Sequence, residues 1–469
     1  MSSRHSGRAP AASSSSSTVS ASPSAPPCPF NARGVVEVPS FVLSRPAGPK
    51  EIEFNVAAHE VEPGAWIAEP AWACRDGQIP LDARPLHCGS KRFATRSEAV
   101  EDAMNRGLRM VSEQRHRDSG KEAWLAKVEA LRAWLADAVF EVRANDETLP
   151  LRGVTVVDLF AGGHGGFSMG LASLGAVVEL ACEIDPEARS VFERNVRPRR
   201  AHGDICTLDL STTKVDVVTM GLLCQAFSAA GKGLGFADPV LANAYRHSMR
   251  VLGEVDAKVV VIECAREFMT LAGGSHANEL IARMVVSGYR VQHRALNAAG
   301  FGAPQDRERS ILICSRVELA ADELLGALFP EESAPTACVE DVLEPGLPAT
   351  IPAADIHRGA PEPTARVAGL HKVGSIDGKS YQGYRVYSAK GLGPALTASG
   401  GGRARFTGAF KVRGGARPLS PREAARMQGM PEWARQHAVY RHAMRHAGNA
   451  IAVPLAREIG RRVASIVRR

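Results

Sequence analysis

The sequence lacks three features that would each have pointed to a different class of protein. Its longest apolar runs, such as residues 259–262, are far shorter than the roughly 20 residues that a membrane helix needs. Its N-terminus is rich in Ser, Ala and Pro and has no apolar stretch of the secretory type. Its nine cysteines do not form paired CxxC or Cys/His ligand sets. We therefore expect no membrane association, no structural metal, reduced thiols and a cytoplasmic protein.

The bulk composition is that of a globular protein with two or three domains, because 45% of the 469 residues are hydrophobic and 23% are charged. The formal net charge of +7 is unevenly placed. Residues 403–469 hold fifteen Arg and Lys against three Glu. Such a segment suits a polyanionic partner, although composition alone leaves a solvated basic helix face equally open.

The N-terminal third divides into segments of different composition. Residues 1–50 are of low complexity, and we expect a disordered leader there. Residues 51–118 alternate short β-like runs with one helical pattern, which predicts a small α+β module of unknown role. Its helix is expected to begin after Thr95 or Ser97, either of which can cap it.

The next two segments differ in their hydrophobic period. Residues 119–150 are predicted to form a helical connector that packs against the following domain through side chains at helical spacing: Trp124, Val128, Leu131 and Trp134. From residue 151 to 315, strand-like and helix-like patterns alternate. This alternation predicts an α/β doubly wound sheet, whose ligands bind beyond the carboxyl ends of its strands.

The first of these strands ends in VVDLFAGGHGGFS, a glycine-rich stretch that lets a ligand approach the backbone closely. Glu183, at the end of the second strand, is placed to accept hydrogen bonds from a ribose diol, although a surface carboxylate is the alternative. Asp158 favours a cationic ligand such as S-adenosylmethionine over a pyrophosphate. The glycines by themselves also allow a dinucleotide oxidoreductase.

Four further residues are candidates for chemistry. Cys224 follows another strand in a loop of small residues, where it is either a nucleophile with a stabilised thiolate or a buried thiol. Glu263 ends a strand and could be held protonated to donate to a ring nitrogen. Arg307 and Arg309 alternate along the chain, so that one guanidinium could bind a base carbonyl and the other a phosphate.

In their order, these stretches resemble the DNA (cytosine-5) methyltransferase family of bacterial and phage type. The matching blocks are DLFAG at 158–162, CQAFSAAG at 224–231, Glu263, PQDRER at 304–309, RPLSPREAARMQGMP at 417–431 and GNAIAVPLAREIG at 448–460. The resemblance implies a Rossmann-like S-adenosylmethionine-dependent fold. The resemblance divides the chain into a catalytic core at residues 151–315 and a small target-recognition domain at 316–384. The C-terminal part of the catalytic domain would follow at 385–469, and residues 51–118 would be an N-terminal extension.

The resemblance also implies a mechanism on a cytosine flipped out of double-stranded DNA. Cys224 would add to C6 and Glu263 would hydrogen-bond N3 and the exocyclic amine. Arg309 would hold O2, while Arg307 would support the loop or a phosphate. The cofactor S-adenosylmethionine would be bound by eight residues: Asp158, Phe160, Gly162, Glu183, Ile184, Asp204, Ile205 and Asn449. A monomer is expected, and a cognate restriction endonuclease is left open.

The chain departs from the family pattern at four places. Leu222 and Leu223 replace a pair of prolines before the nucleophile, and Cys264 and Ala265 replace Asn-Val after the glutamate. His164 is an extra residue in the glycine-rich stretch, and Val240 replaces an arginine. These changes leave two alternatives to a DNA methyltransferase: a tRNA methyltransferase, whose Cys-Phe-Thr tripeptide this sequence lacks, and a catalytically impaired DNA-binding relative.

Overall fold

The chain folds into two compact units, residues 1–142 and 143–469, which we describe separately. A computed structural model describes nine stretches of it: 19–21, 41–45, 52–74, 79–83, 90–114, 121–222, 238–319, 328–366 and 368–469. No helix in these stretches is both long and apolar enough to cross a membrane.

The first unit is built on an antiparallel sheet whose five strands are hydrogen-bonded in chain order. The strands are β1 (Val19–Ala21), β2 (Phe41–Arg45), β3 (Ile52–Glu62), β4 (Ala65–Cys74) and β5 (Ile79–Ala83). Two helices follow, α1 (Arg96–Glu113) and α2 (Lys121–Ala144). Thr95 caps α1 by accepting a hydrogen bond from the Glu98 N–H, as predicted. Gly107 lets α1 approach the sheet, because a Cβ there would lie 2.5 Å from the Phe54 ring.

Two predicted segments differ from the structure in this unit. The disordered leader was expected to reach residue 50, but β1 and β2 lie within it. In β2, Phe41 and Leu43 are buried in alternation with Val42 and Ser44, a period of two that the low-complexity composition around it obscured. The helix α2 was expected to connect two domains, but up to Val142 its contacts group it with the first unit.

The second unit contains the predicted α/β sheet, with seven strands. Its elements, in chain order, are β6 (Thr155–Leu159), α3 (Gly166–Ala172), β7 (Val177–Cys182), α4 (Pro186–Val196), β8 (Arg200–His202), β9 (Val217–Gly221), α5 (Pro239–Glu254), β10 (Val259–Ala265), α6 (Ser275–Val286) and β11 (Arg290–Asn297). The short β12 (Gln305–Asp306) precedes β13 (Glu308–Ser315), which is antiparallel to both β10 and β11.

The strand order, β11-β13-β10-β9-β6-β7-β8, places β9 at the centre with β6 beside it. Val156 faces one core and Val157 the other, because alternate residues of a strand point to opposite faces. The chain runs outward from β6 through β7 to β8 and then crosses to the other side of β6 to form β9. This reversal makes the carboxyl ends of β6 and β9 the point at which a doubly wound sheet opens a crevice for a ligand.

A smaller six-stranded sheet follows, in the order β14-β20-β19-β17-β16-β15. The remaining elements are β14 (Ile351–Pro352), β15 (Ile356–Arg358), β16 (Lys372–Ile376), β17 (Arg385–Tyr387), β18 (Gly393–Pro394), β19 (Ala409–Val412), β20 (Gly415–Arg417), α7 (Pro421–Met427), α8 (Tyr440–Asn449) and α9 (Val453–Val467). The predicted boundary at 384/385 falls inside this sheet, because β17 pairs directly with β16. The helix α9 then returns to the large sheet and packs on α3.

Candidate active site

A cavity of about 350 Å³ opens at the carboxyl ends of the central strands. Its wall includes eleven of the twelve predicted site residues: Asp158, Phe160, Gly162, Glu183, Ile184, Asp204, Ile205, Glu263, Arg307, Arg309 and Asn449. The twelfth, Cys224, lies outside the described residues. Residues that are 291 positions apart in the sequence, from Asp158 to Asn449, therefore meet around one space.

The loop after β6 is shaped by left-handed backbone at Phe160 and Gly162, with φ values of +58° and +66°. The Gly162 N–H donates to Glu183 Oε2 at 2.9 Å, and the Asp185 N–H donates to Glu183 Oε1 at the same distance. Burial raises the pKa of Glu183 above its ordinary value. Because each carboxylate oxygen has two lone pairs, Glu183 keeps acceptor capacity after both of these hydrogen bonds.

Asp158 lies beside this loop and is almost fully buried. Its Oδ2 accepts a hydrogen bond from Ser168 Oγ at 2.5 Å, and its Oδ1 accepts one from Thr219 Oγ1 at 2.7 Å. Burial raises the pKa of this carboxyl to about 6. Asp158 therefore links β6 to both α3 and β9 at the cavity wall, a role that the sequence pattern did not indicate.

Another part of the cavity wall combines a polar residue, Asp204, with two apolar side chains, Ile184 and Val240. The Cys206 N–H donates to Asp204 Oδ1 at 2.9 Å, and this hydrogen bond holds the pKa of Asp204 below its usual range. Ile184 and Val240 are 71% and 72% exposed, which is unusual for such side chains. Two exposed apolar side chains at a cavity wall suit a flat aromatic ligand such as adenine.

Glu263 and Arg309 form an ion pair in another part of the wall. They lie on the neighbouring strands β10 and β13, with Arg309 Nε 2.8 Å from Glu263 Oε1. The Leu222 N–H donates to the Glu263 carbonyl oxygen at 2.8 Å, which fixes the chain just before the segment that contains Cys224. A carboxylate and a guanidinium are thus presented together to a ligand.

Arg307 is buried and donates to three backbone carbonyls. Its guanidinium reaches the oxygens of Leu396, Gly448 and Ala450 at 2.9, 3.0 and 2.8 Å. These contacts favour the alternative in which Arg307 supports the loop, while the role in phosphate binding stays a prediction. Arg307 instead holds the backbone on both sides of Asn449.

The departures from the family pattern that fall on described residues form two groups: Leu222 and Val240 line the cavity, whereas His164, Cys264 and Ala265 do not. His164 does not protrude into the cavity: it is fully buried and its Nε2 lies 2.8 Å from Gln436 Oε1. Cys264 and Ala265 are buried in β10. Leu222 is buried as well and also lines the cavity, whereas Leu223 lies outside the described residues.

Three cavity residues carried no sequence signal that we recognised: Cys182, Cys206 and Asn243. The Asn243 amide donates to Cys206 Sγ at 3.1 Å, so that α5 contacts the loop after β8. Cys182 could have been predicted from its position, because it is the last residue of β7 and the ends of such strands border the ligand crevice. Asn243 lies within a helix, and nothing in its local sequence separates it from a surface residue.

Glu187, His437 and His442 bring potential metal-ligand atoms within 4.8 Å of one another. The hydrogen bonds of His437 argue against a metal there. Its Nδ1 accepts from the Val439 N–H at 3.0 Å, so Nε2 must carry the proton of the neutral ring and donate it to Glu187 at 2.8 Å. A metal would need the Nε2 lone pair, and we interpret this group as a hydrogen-bonded pair with a stacked neighbour.

Comparison with known proteins identifies the family. The family model described as C-5 cytosine-specific DNA methylase matches residues 154–465. The chain belongs to this family. It therefore catalyses the methylation of cytosine C5 in DNA and uses S-adenosylmethionine as the methyl donor. The resemblance inferred from the motifs is confirmed.

Individual relatives agree with this assignment. The chain is 32% identical over 319 residues to the Type II methyltransferase M.HhaI of Haemophilus parahaemolyticus, covering 67% of this chain and 95% of that protein. It is 25% identical to the Type II methyltransferase M.Bsp6I of Bacillus sp. (strain RFL6), covering 66% and 98%. The structure of S. pombe Dnmt2 matches with a TM-score of 0.50 at 18% identity, covering 67% of this chain and 98% of that one, and supports the Rossmann-like methyltransferase fold.

Proposed function

We propose that the chain methylates cytosine in double-stranded DNA through a covalent adduct with Cys224, at the cavity described above. One observation carries the assignment of residues. The Glu263–Arg309 pair and the Gly162–Glu183 cradle line the same cavity, so that a base and a methyl donor can meet there. Base flipping is required, because a cytosine stacked in a duplex cannot reach a closed site.

On the base side, Glu263 and Arg309 fit the polar edge of cytosine. Arg309 donates to O2, while Glu263 accepts from the exocyclic amine and, when protonated, donates to N3. The Cys224 thiolate forms a bond to C6 as the C5=C6 π bond breaks, and the electron pair of that π bond moves through the ring toward N3 and O2. Positive charge and hydrogen-bond donors at these two atoms stabilise that charge as it develops.

On the cofactor side, the lining residues fit a cationic nucleoside. Glu183 would accept hydrogen bonds from the ribose hydroxyls, and Ile184, Asp204 and Ile205 would hold the adenine. Phe160 and Gly162 would hold the methionine end, with Asp158 and Asn449 at the adjoining wall. When bound, S-adenosylmethionine supplies an electrophilic methyl group to C5. Loss of the C5 proton then expels the Cys224 thiolate and restores the aromatic ring.

We propose further that the smaller sheet, which begins within residues 316–384 and continues beyond them, contacts the DNA bases. We also propose that the protein acts as a cytoplasmic monomer. A change of surface residues in β15 or β16 is expected to alter which sequence is methylated while the cofactor affinity stays constant.

Transfer of labelled methyl groups tests the proposal. Intact protein and Cys224→Ala are each incubated with S-adenosylmethionine and either mixed-sequence duplex DNA or tRNA. Label is expected in DNA with the intact protein alone, because Cys224→Ala removes the covalent step while it leaves the cavity unchanged. Label in tRNA but not in DNA would establish the tRNA alternative, and equal labelling by Cys224→Ala would exclude the covalent mechanism.

A further inference from the structure

The glycine-rich loop at residues 161–165 is longer than the family pattern by one residue and follows a strained residue, Phe160, whose φ is +58°. Within the loop, Gly162 and Gly165 are in the left-handed region at φ +66° and +58°, which glycine adopts without strain. On the cavity side the Ala161 N–H donates to the Cys182 carbonyl oxygen at 3.0 Å, and the Gly162 N–H donates to Glu183 at 2.9 Å. Such a loop needs support from behind if the Gly162 N–H is to keep one position.

That support comes from a segment almost 300 residues further along the chain. Gln436 Oε1 lies 2.8 Å from His164 Nε2, and because an amide oxygen only accepts, His164 is the donor. The backbone at Gly163 lies directly against His446, since a Cβ there would be 2.5 Å from His446 Nδ1. Two adjacent residues of the loop thus contact the segment 436–446 that leads to Asn449 at the cavity wall.

The supporting segment is itself fixed to α4. Arg435, next to Gln436, makes two backbone hydrogen bonds with the Asn195 amide, at 2.8 and 2.9 Å. Arg445 donates to Asp185, the N-cap of α4, at 2.7 Å. Asp185 in turn donates its backbone N–H to Glu183. Gln436 is therefore held in the same frame as the carboxylate that receives the Gly162 N–H.

Both imidazoles behind the loop are neutral at physiological pH. Burial lowers the pKa of His164 to about 4 and, together with the nearby His164, lowers that of His446 to about 3. The contact of His164 with Gln436 is therefore a neutral hydrogen bond from a fully buried imidazole to a half-buried amide, and loss of the acceptor leaves the buried N–H without this partner.

We propose that Gln436 is a positioning residue for S-adenosylmethionine, acting through His164 on the loop that presents the Gly162 N–H. The proposal rests on the cofactor site proposed above. The extra residue in the glycine-rich stretch is then compensated by this contact, and the departure from the family pattern need not impair the cofactor site.

A double-mutant cycle on the full chain tests the proposal. The variants are Gln436→Met, His164→Leu and both together, and the dissociation constant of labelled S-adenosylmethionine is measured by equilibrium dialysis. Each single change is expected to weaken binding by about fivefold to tenfold, and the double change no further, because both remove the same contact. Turnover on duplex DNA at saturating cofactor should change by less than about twofold.

Two further variants separate positioning from general stability. Gln436→Glu keeps an oxygen acceptor of the same reach and should bind the cofactor more tightly than Gln436→Met. The adjacent Arg435→Gln changes an exposed side chain, keeps the two backbone hydrogen bonds to Asn195 and should leave the affinity unchanged. Thermal melting of every variant shows whether it folds.

Several outcomes would overturn the proposal. The positioning role is refuted if the losses of the two single variants multiply in the double variant, or if Arg435→Gln weakens binding as much as Gln436→Met does. A lower melting temperature with unchanged cofactor affinity also refutes it. Absence of cofactor binding by the unaltered protein would instead refute the cofactor site on which it rests.

Discussion

Arg309 and Glu263 meet across two antiparallel strands, with Nε of the arginine 2.8 Å from Oε1 of the glutamate. In the register of β10 and β13, Arg309 is opposite Ala265, so the pair is diagonal and within reach of long side chains. The side chains are 17% and 5% exposed. Removal of either partner would leave the other charge largely out of water, which makes the pair sensitive to substitution.

Glu263→Gln is expected to lower turnover by about a hundredfold, because the amide cannot supply the charge or the proton of the carboxyl group as the ring adduct forms. Cofactor affinity should stay within about twofold, since the change is on the base side. Steady-state kinetics on duplex DNA and cofactor dialysis measure the two effects. Glu308→Gln is the matched control, because Glu308 pairs with Arg266 and does not line the cavity. A fall in cofactor affinity as large as the fall in turnover would contradict the assignment.

Arg307→Gln is expected to destabilise the second unit by about 2–4 kcal/mol, because buried carbonyls lose charged donors. Urea unfolding measures the loss. The dependence of DNA affinity on salt tests the alternative role in phosphate binding: the slope of log K against log salt should be unchanged, whereas loss of a phosphate contact would reduce it by about 0.9. A reduced slope in Arg307→Gln, with unaltered stability, would show that Arg307 binds a phosphate.

We expect Asp158 to make the free energy of unfolding larger under mildly acidic conditions than at neutral pH. Its pKa is raised to about 6 in the folded state, above the roughly 3.9 of an unfolded chain. The folded state therefore binds the extra proton, and this stabilisation is complete below about pH 4 and disappears as the pH rises through 6. Relative to Asp158→Asn, the unaltered protein should lose about 2–3 kcal/mol of unfolding free energy between pH 4 and 7. Parallel pH dependences in the two proteins would contradict this origin.

The sequence predicted the residues of the site more accurately than it predicted the domain boundaries. Glu183 directly follows β7, and Glu263 lies two residues before the end of β10. Because the carboxyl ends of parallel strands meet at one edge of a sheet, the convergence of these two residues follows from the sequence pattern. The contact between His164 and Gln436 could not be predicted, because it joins two loops 272 residues apart. The hydrogen-bond partners of Arg307 could not be predicted either, because every residue has a backbone carbonyl and the sequence does not indicate which carbonyls accept from Arg307.

Removal of residues 1–50 tests the correction to the predicted leader. Because β2 pairs with β3 from Phe41 to Arg45 and buries Phe41 and Leu43, the deletion should expose the edge of β3 and destabilise the first unit. Removal of residues 1–18 is the matched control, since it leaves both β1 and β2 intact. Thermal unfolding and limited proteolysis of the two truncated proteins measure the difference. Equal stability of both would show that β2 contributes nothing and that the whole segment can be removed without cost.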